Sequence, residues 1–393
     1  MIEITNKKDC CGCTACASVC VHNAITMEPD ALGFLYPKVN VEKCTDCGKC
    51  NNVCSFHDNY DTSLNLPVLE AYGVRHKNME EIMNSRSGAM FVAISDYVIE
   101  NDGVVYGVGV NERFRATHRR VITKSERDEL RGSKYIQSDL RGIFQQVKSD
   151  LKAGLTVLFS GTPCQTSGLN SFVGKNLREK LLLVDIVCHG VPGAYLWRDY
   201  IKFLEKKYQD NICEVNFRDK KKYGWRAHRE SFRFEKGGWK SFNYTLYKRN
   251  IFRQSCGDCH FCNIKRPSDI TLADFWHSEK IAPEFTADNK GANLILVNTV
   301  FGQELFKAVK DKLNYIPVNI EKCMQGNLIH PAKLYPSLLS FENYYVIHGF
   351  EKTMRHFGEI GWRHEVRMET QYVIKNLKSA LRKIESIIRT YNL

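Results

Sequence analysis

The chain has 393 residues, of which 43% are hydrophobic and 25% are charged, and its formal net charge is +12. These proportions exclude a largely disordered chain, and no apolar run approaches the roughly 20 residues that a membrane span needs. The polar segment from Met1 to Asp9 predicts a cytoplasmic location, where sixteen cysteines indicate metal binding or redox chemistry rather than disulfides.

Two cysteine runs near the start share the spacing C-x2-C-x2-C-x3-C of bacterial two-cluster ferredoxins. In that arrangement three thiolates wrap one cubane and the fourth reaches the other. The first predicted [4Fe-4S] cluster uses Cys10, Cys13, Cys16 and Cys54, and the second uses Cys20, Cys44, Cys47 and Cys50. A β-hairpin is predicted within residues 25–43. Cys11 is interpreted as a spectator; a shifted register at Cys11 and a zinc site are the alternatives.

The charge is spread unevenly. Residues 1–58 contain five lysines and seven acidic residues, so the positive charge lies on the remainder. The pattern indicates an acidic electron-carrier module joined to a basic body. Such a body could bind phosphates, an acidic partner or a membrane surface, or could simply have a lysine-rich surface.

Residues 66–335 alternate between strand and helix patterns, which predicts a central sheet with flanking helices. We expect strands at residues 68–74, 103–110, 156–159 and 181–187, and helices at residues 88–100, 138–152 and 195–208. Two strands end in turns rich in Gly, Pro and Cys, which suit phosphate or flavin binding. The sequence has neither G-x-G-x-x-G nor a Walker A motif, so classical nucleotide sites are not predicted.

A third cysteine run comprises Cys256, Cys259 and Cys262. It repeats the cubane triple without a nearby fourth cysteine, so a third [4Fe-4S] cluster needs a distant ligand. Cys188 is the favoured ligand and Cys164 the second choice, because both follow strands in tight turns. A zinc site or unrelated buried thiols are the alternatives.

Three further side chains are candidates for chemistry. Asp274 ends a predicted strand and could accept a hydrogen bond from a flavin or ribose, or could cap the strand. His189 and His277 could donate protons, because histidine titrates near neutrality, although a lone histidine is more often structural.

Six segments in order resemble the beta-subunit family of coenzyme F420 hydrogenase and dehydrogenase, in the variant with a fused N-terminal ferredoxin domain. They are residues 85–91, 132–138, 160–165, 187–190, 256–262 and 273–276. The resemblance implies FAD, a [4Fe-4S] cluster beside it, and electron exchange with a reducible organic substrate. It implies flavin contacts from Ser87, Gly88, Lys134, Tyr135, Gln137, Thr162, Cys164 and Gln165.

The sequence departs from that family at two positions. Ala89 and Ala273 stand where the family usually has glycine, and each added methyl could alter how closely a flavin packs. The deazaflavin substrate stays open, because relatives of the fused type resemble enzymes of bacteria in which that coenzyme is not expected. Such relatives also resemble proteins of surface-polysaccharide loci.

Two basic segments follow different patterns. Residues 218–240 interleave arginine and lysine with Tyr223, Trp225 and Trp239, which could cradle an anionic small molecule. Nucleic-acid binding is the alternative, and the strand-like alternation favours a solvated sheet face. In the tail, Val373, Leu377, Leu381, Ile384 and Ile388 form one face of a basic amphipathic helix, accompanied by Lys375, Lys378, Arg382, Lys383 and Arg389.

We therefore predict a multidomain α+β and α/β protein. Its parts are a ferredoxin-type domain at residues 1–60, a flavin-binding body at 66–180 and 181–335, and a helical tail at 336–393. The predicted function is an iron–sulfur flavoprotein oxidoreductase; the alternative is a non-catalytic electron-transfer subunit. Predicted partners are reduced ferredoxin or a similar carrier and an anionic substrate, with no nucleic acid. The tail helix docks on the body, pairs in a dimer or touches a membrane.

Overall fold

The computed structural model describes residues 1–242, 245–248, 251–361 and, in the tail, 366–367, 369–371, 373–374, 377–378, 380–381 and 384. The strands of this part are β1 (Ile25–Pro29), β2 (Leu35–Val39), β3 (Asn65–His76), β4 (Val104–Val110), β5 (Ala116–Val121), β6 (Val157–Gly161), β7 (Leu181–Ile186), β8 (Ile212–Asn216), β9 (Glu230–Phe234), β10 (Gly238–Phe242), β11 (Ile270–Asp274), β12 (Asn293–Thr299) and β13 (Leu313–Pro317).

The α-helices of the same part are α1 (Ala15–Val19), α2 (Lys49–Asn52), α3 (Met79–Asn84), α4 (Met90–Glu100), α5 (Lys124–Asp128), α6 (Ile143–Lys152), α7 (Pro163–Val173), α8 (Ala194–Tyr208), α9 (Lys220–Tyr223), α10 (Thr245–Lys248), α11 (Ser278–Ile281), α12 (Val300–Val309), α13 (Ile320–Cys323) and α14 (Leu338–His356). Gly349 interrupts α14 with a φ of 72°, so this helix is kinked.

The N-terminal module consists of two short helices and a hairpin. β1 and β2 pair in antiparallel fashion, with Ile25 opposite Val39, so the predicted hairpin is confirmed. Each helix contains the third cysteine of a triple, Cys16 in α1 and Cys50 in α2. The buried core is small: Ile2, Ile25, Met27 and Leu35 pack against these two cysteines. Because the module offers few apolar residues, the cysteine side chains make up part of its core.

An eight-stranded mixed sheet forms the centre of the body, in the order β13-β3-β12-β11-β7-β6-β4-β5. The inner strands β11, β7, β6 and β4 run parallel, and antiparallel strands flank them on both sides. Strands from residues 66–180 and 181–335 therefore share one sheet. The carboxyl ends of the parallel strands meet at one edge, where ligand sites gather in such sheets.

The predicted helix at residues 138–152 begins later than expected. Gly142 has a φ of 80° and precedes α6, which starts at Ile143. The preceding residues extend along β5 instead, because the His118 amide donates to the Asp139 carbonyl and the Asp139 amide donates to the Ala116 carbonyl. Backbone pairing to the edge strand thus takes precedence over helical spacing.

A second, three-stranded sheet has the order β10-β9-β8. Its apolar side packs with α8 and α14 into a separate core that includes Trp197, Tyr200, Phe232 and Phe341. Strands β9 and β10 of this layer carry much of the second half of the basic segment at residues 218–240.

The described tail residues include four exposed apolar side chains of the predicted amphipathic face, Val373, Leu377, Leu381 and Ile384. Ile388, Lys375, Arg382, Lys383 and Arg389 lie outside the described residues. Docking, dimerisation or membrane contact of this helix stays a prediction. Among the described helices, none combines the length and apolar character needed to cross a bilayer.

Candidate functional site

A cavity of about 630 Å³ opens at the carboxyl edge of the parallel strands. The segments that follow β6 and β7 line it, together with the end of β11 and the loop that precedes α4. This volume lies within the roughly 300–1,000 Å³ of typical ligand and cofactor pockets.

The third cysteine run lies in the wall of this cavity. A 3-10 turn at Gln254–Asp258 carries Cys256, and Cys259 and Cys262 follow it along the wall. Cys188 and Cys164 line the same cavity. Burial and the neighbouring Cys256 thiol raise the pKa of Cys188, while burial and the Cys164 thiol raise the pKa of Cys256. Both candidate fourth ligands therefore lie near the triple.

The structure brings the eight N-terminal cysteines together in two groups. Cys20, Cys44, Cys47 and Cys50 line one small pocket at the outer end of the module. In the other set, burial and the Cys13, Cys10 and Cys54 thiols raise the pKa of Cys16. Within the described residues, no three ligating side chains converge on a point suited to a single metal ion.

Cys11 has a different environment from the one expected of a spectator. It is 6% exposed, lines the cavity, and lies within hydrogen-bonding range of both Cys13 and Cys164. The hydrogen bond from Cys11 lowers the pKa of Cys164 to about 7, against the effect of burial. Cys11 is thus a point at which the N-terminal module meets the cavity, a placement that spacing alone did not indicate.

The loop before α4 brings Ser87 and Gly88 to the cavity. The Ser87 hydroxyl donates to the Ala292 carbonyl. A Cβ at Gly88 would clash with the Val74 carbonyl oxygen, so only glycine fits there. Ala89 adopts a φ of 65°, a left-handed conformation that costs alanine energy and that glycine adopts freely. Ala273 also lines the cavity.

Lys134, Tyr135 and Gln137 also line the cavity. The Lys134 ammonium donates to the carbonyls of Glu129 (3.2 Å) and Arg131 (2.8 Å), and burial lowers its pKa to about 7. Gln137 donates from Nε2 to the Cys11 carbonyl, 3.0 Å away. Tyr135 accepts a hydrogen bond from Arg218 at 3.3 Å.

Thr162 and Gln165 form the capping box of α7. The Gln165 side chain accepts from the Thr162 amide at 3.0 Å and donates to the Ser138 hydroxyl at 2.9 Å. Thr162 Oγ1 lies 3.2 Å from Cys164 Sγ. These contacts fix the turn after β6 and direct the start of α7 toward the cavity.

Asp274 is held by two donors. Arg218 pairs with it at 2.8 Å, and Trp225 Nε1 donates to it at 2.9 Å. Although burial opposes the effect, Arg218 lowers the pKa of the carboxyl. Trp225 in turn stacks on Trp276, with ring centroids 4.8 Å apart.

The two predicted proton donors lie in different places. His189 lines the cavity, and its Nδ1 lies 2.7 Å from Asn327 Oδ1. His277 is exposed at the start of α11, with a φ of 66°, and is not among the residues that line the cavity. The structure therefore does not bring His277 together with the other candidates.

The expectation of a solvated face for residues 218–240 is wrong for its first half. Arg218, Lys220, Trp225 and Arg229 are buried, because they pair with Asp274, backbone carbonyls and neighbouring rings. Trp239 is 43% exposed on β10, as the strand pattern predicted. Short turns around α9 fold the first half inward, and alternation does not reveal them.

Sequence reasoning missed several residues that line the cavity. They are Cys11, Arg86, Arg131, Arg218, His228, Tyr247 and Arg253. Arg218 belonged to a recognised basic segment, but Arg253 lacked any periodic or motif signal. Five cationic side chains line the cavity with one carboxylate, Asp274, so the site favours anionic ligands.

Comparisons with known proteins give two matches along the chain. Residues 154–321 match the family described as the C terminus of the coenzyme F420 hydrogenase/dehydrogenase beta subunit. Residues 9–57 match the 4Fe-4S dicluster domain. No curated protein matches the sequence.

Among solved structures, the F420-reducing [NiFe] hydrogenase complex from Methanosarcina barkeri, studied by xenon derivatization, is similar to this chain. The sequence identity is 15% and the TM-score is 0.45, over 75% of this chain and 92% of that chain.

Proposed function

We propose that the chain is a flavin-dependent iron–sulfur oxidoreductase. The premise is that residues 154–321 match the coenzyme F420 hydrogenase/dehydrogenase beta-subunit family and residues 9–57 match the 4Fe-4S dicluster domain. One observation carries the proposal: a single cavity collects the third cysteine run, both candidate fourth ligands and the segments expected to hold a flavin.

The donor set fits iron–sulfur clusters. A cubane takes one thiolate on each of four irons, so its ligands surround a volume rather than converge on one point. The pocket lined by Cys20, Cys44, Cys47 and Cys50 has this character. In the body, Cys256, Cys259 and Cys262 would hold a third cluster, with Cys188 or Cys164 as the fourth ligand.

Two features of the cavity support the proposal of FAD, its helix N-termini and its basic lining. Two helices longer than two turns, α4 and α7, begin at its wall, and helix N-termini favour phosphate groups. Lys134 and the nearby arginines would offset the charge of the diphosphate. Ser87, Gly88, Tyr135, Gln137, Thr162, Gln165 and Asp274 would complete the flavin site.

When bound, the clusters would carry single electrons and the flavin would convert them to a hydride for an organic substrate. The residues of the chain would bind and orient these groups and the substrate, and they would exclude water. His189 is the one predicted proton donor that lines the cavity, and Asn327 orients its ring. Its proton would accompany hydride transfer to the substrate.

The outer end of the N-terminal module suits an external electron carrier. Cys47 is exposed and Cys44 is partly exposed, whereas Cys13 is buried against the body and Cys16 is buried within the module. Reduced ferredoxin or a similar carrier would therefore meet the set of Cys20, Cys44, Cys47 and Cys50. The organic substrate and a connection to surface polysaccharides stay predictions of the family resemblance.

The test is anaerobic purification followed by quantitation of iron, sulfide and flavin. We expect about twelve irons and one FAD per chain. A brown protein with iron but no flavin would favour the non-catalytic electron-transfer subunit. Colourless or zinc-containing protein would overturn both readings.

The variant Cys256→Ser tests the third cluster. It should remove about four irons and slow reduction of the flavin; unchanged iron content would refute the third cluster.

A further inference from the structure

Arg253 lies at the junction between the N-terminal module and the cavity, with 1% of its surface exposed. Its guanidinium reaches three groups of the module: the carbonyl of Cys10 at 2.7 Å, the carbonyl of Leu35 at 3.0 Å and the sulfur of Cys10 at 3.5 Å. The ring of Tyr36 lies 4.1 Å from the guanidinium carbon. The module thus closes around this side chain.

The same residue is hydrogen-bonded to three segments of the body. Its amide donates to the Val191 carbonyl at 3.0 Å, and its carbonyl accepts from the Cys256 amide at 2.9 Å. Its Nη1 donates to Gln137 Oε1 at 3.2 Å. Arg253 therefore connects the loop of Cys10, the turn of Cys256 and the segment after Cys188.

These contacts leave the positive charge available to sulfur. The oxygen acceptors are carbonyl and amide groups without formal charge, whereas Cys10 is a thiolate when it binds iron. A buried charge interacts more strongly than an exposed one, because little water screens it. Gly12 leaves room for this approach: a Cβ there would lie 2.9 Å from Nη1 of Arg253.

We propose that Arg253 is a positioning residue that raises the reduction potential of the cluster held by Cys10, Cys13, Cys16 and Cys54. The inference rests on the proposed function, since it requires that set to bind a cluster. Reduction adds one electron to the cluster, and a buried guanidinium that donates to a ligand sulfur favours the reduced form. The outer set, Cys20, Cys44, Cys47 and Cys50, lies at an exposed end of the N-terminal module, which contains no arginine.

The consequence is a bias in where an added electron rests within the module. Arg253 shifts the electron-transfer equilibrium between the two clusters toward the inner one, held by Cys10, Cys13, Cys16 and Cys54. Arg253 thereby biases electrons toward the body, and its tether to Cys256 holds the inner cluster at the cavity wall.

The experiment compares Arg253→Met and Arg253→Lys with the wild type in anaerobic redox titrations followed by electron paramagnetic resonance. Methionine removes the charge, and lysine keeps it but loses the fork that reaches sulfur. In Arg253→Met we expect the one-electron equilibrium of one cluster to shift at least tenfold toward the oxidised form, which is about 59 mV. The shift in Arg253→Lys should be smaller and of the same sign.

Arg127→Met is the matched control. Arg127 is also buried, with its side chain 2% exposed, but it pairs with Asp96. Its removal should leave both N-terminal potentials unchanged. If Arg253→Met fails to fold, Arg253→Lys decides the question. Wild-type protein without iron would overturn the proposed function, whereas full iron content with unshifted potentials in the variants would overturn this inference alone.

Discussion

Buried charges in the body are stabilised in two ways that have different consequences. Asp185 pairs with Arg266 at 3.0 Å, and Asp269 pairs with Arg178 at 2.7 Å. Lys220 instead donates to the carbonyls of Ile82 and Ser87, so neutral oxygens rather than a carboxylate accept these hydrogen bonds. Burial lowers the pKa of Lys220 to about 7. This lysine anchors the loop that carries Ser87 and Gly88 to the cavity.

Stability should depend on pH through Lys220. Between pH 7 and the ordinary lysine pKa of 10.5, the unfolded chain binds a proton that the folded chain lacks. The folded state therefore gains stability as pH rises through this window, and below pH 7 it bears the full cost of a buried ammonium. We expect the melting temperature of the wild type, measured relative to Lys220→Met, to rise between pH 7 and pH 9.

Lys221→Met provides the control for this experiment. Lys221 is exposed and donates to Asn84 Oδ1 at 2.8 Å. The melting temperature of Lys221→Met should follow that of the wild type at both pH values. A pH-independent difference between the wild type and Lys220→Met would contradict the titration of Lys220.

The choice between Cys188 and Cys164 can be tested by substitution. We expect Cys188→Ser to lose about four irons, since its buried thiol lies beside Cys256, a member of the triple. Cys164→Ser should keep its iron, because the Cys164 thiol is already engaged by Cys11 and Thr162. Iron analysis of both variants in parallel gives the answer, and the opposite pattern would assign Cys164 as the ligand.

At the scale of elements, strands were predictable where their residues are continuously apolar. β7 is buried along most of its length, and its residues form an apolar run that only Asp185 interrupts. β6 likewise reads directly from the sequence. The inward turn at residues 218–229 was not predictable, because its burial depends on Asp274 and on distant carbonyls. Local periodicity carries no information about such partners.

The same limit applies to the candidate site. The cysteine ligands follow from spacing, since cubane geometry dictates that spacing locally. Arg253 could not be found this way, because its partners Cys10 and Leu35 are more than 200 residues away along the chain. The role of a residue that joins two modules can be recognised only in the folded structure, where the modules are in contact.

The helix α7 provides a test of module docking. A Cβ at Gly168 would lie 2.7 Å from the sulfur of Cys13. We expect Gly168→Ala to displace the first cysteine loop, to cost about 1–3 kcal/mol of stability and to lower the retained iron. Ser171→Ala, at an exposed position of the same helix, should change neither. Thermal unfolding and iron analysis measure the two effects, and full iron with wild-type stability in Gly168→Ala would contradict close packing here.

At the scale of the whole molecule, the two modules differ in what stabilises them. The central sheet has a large apolar core that includes Val105, Leu158, Val184 and Ile295. The N-terminal module has a small core in which Cys16 and Cys50 are members. Part of its remaining apolar surface, including Ala15 and Phe56, packs against the body.

Removal of iron should therefore affect the two modules unequally. Thiolates that hold a cluster draw together the loops that contain them, and metal binding in small modules contributes directly to folding. We expect protein stripped of iron by a chelator under reducing conditions to be cleaved first within residues 1–57, leaving a protease-resistant fragment that contains the central sheet. Limited proteolysis with mass spectrometry identifies the cut sites. Intact protein with its clusters is the control and should resist cleavage there. Early cleavage within the sheet would mean that the clusters stabilise the body as strongly as the module.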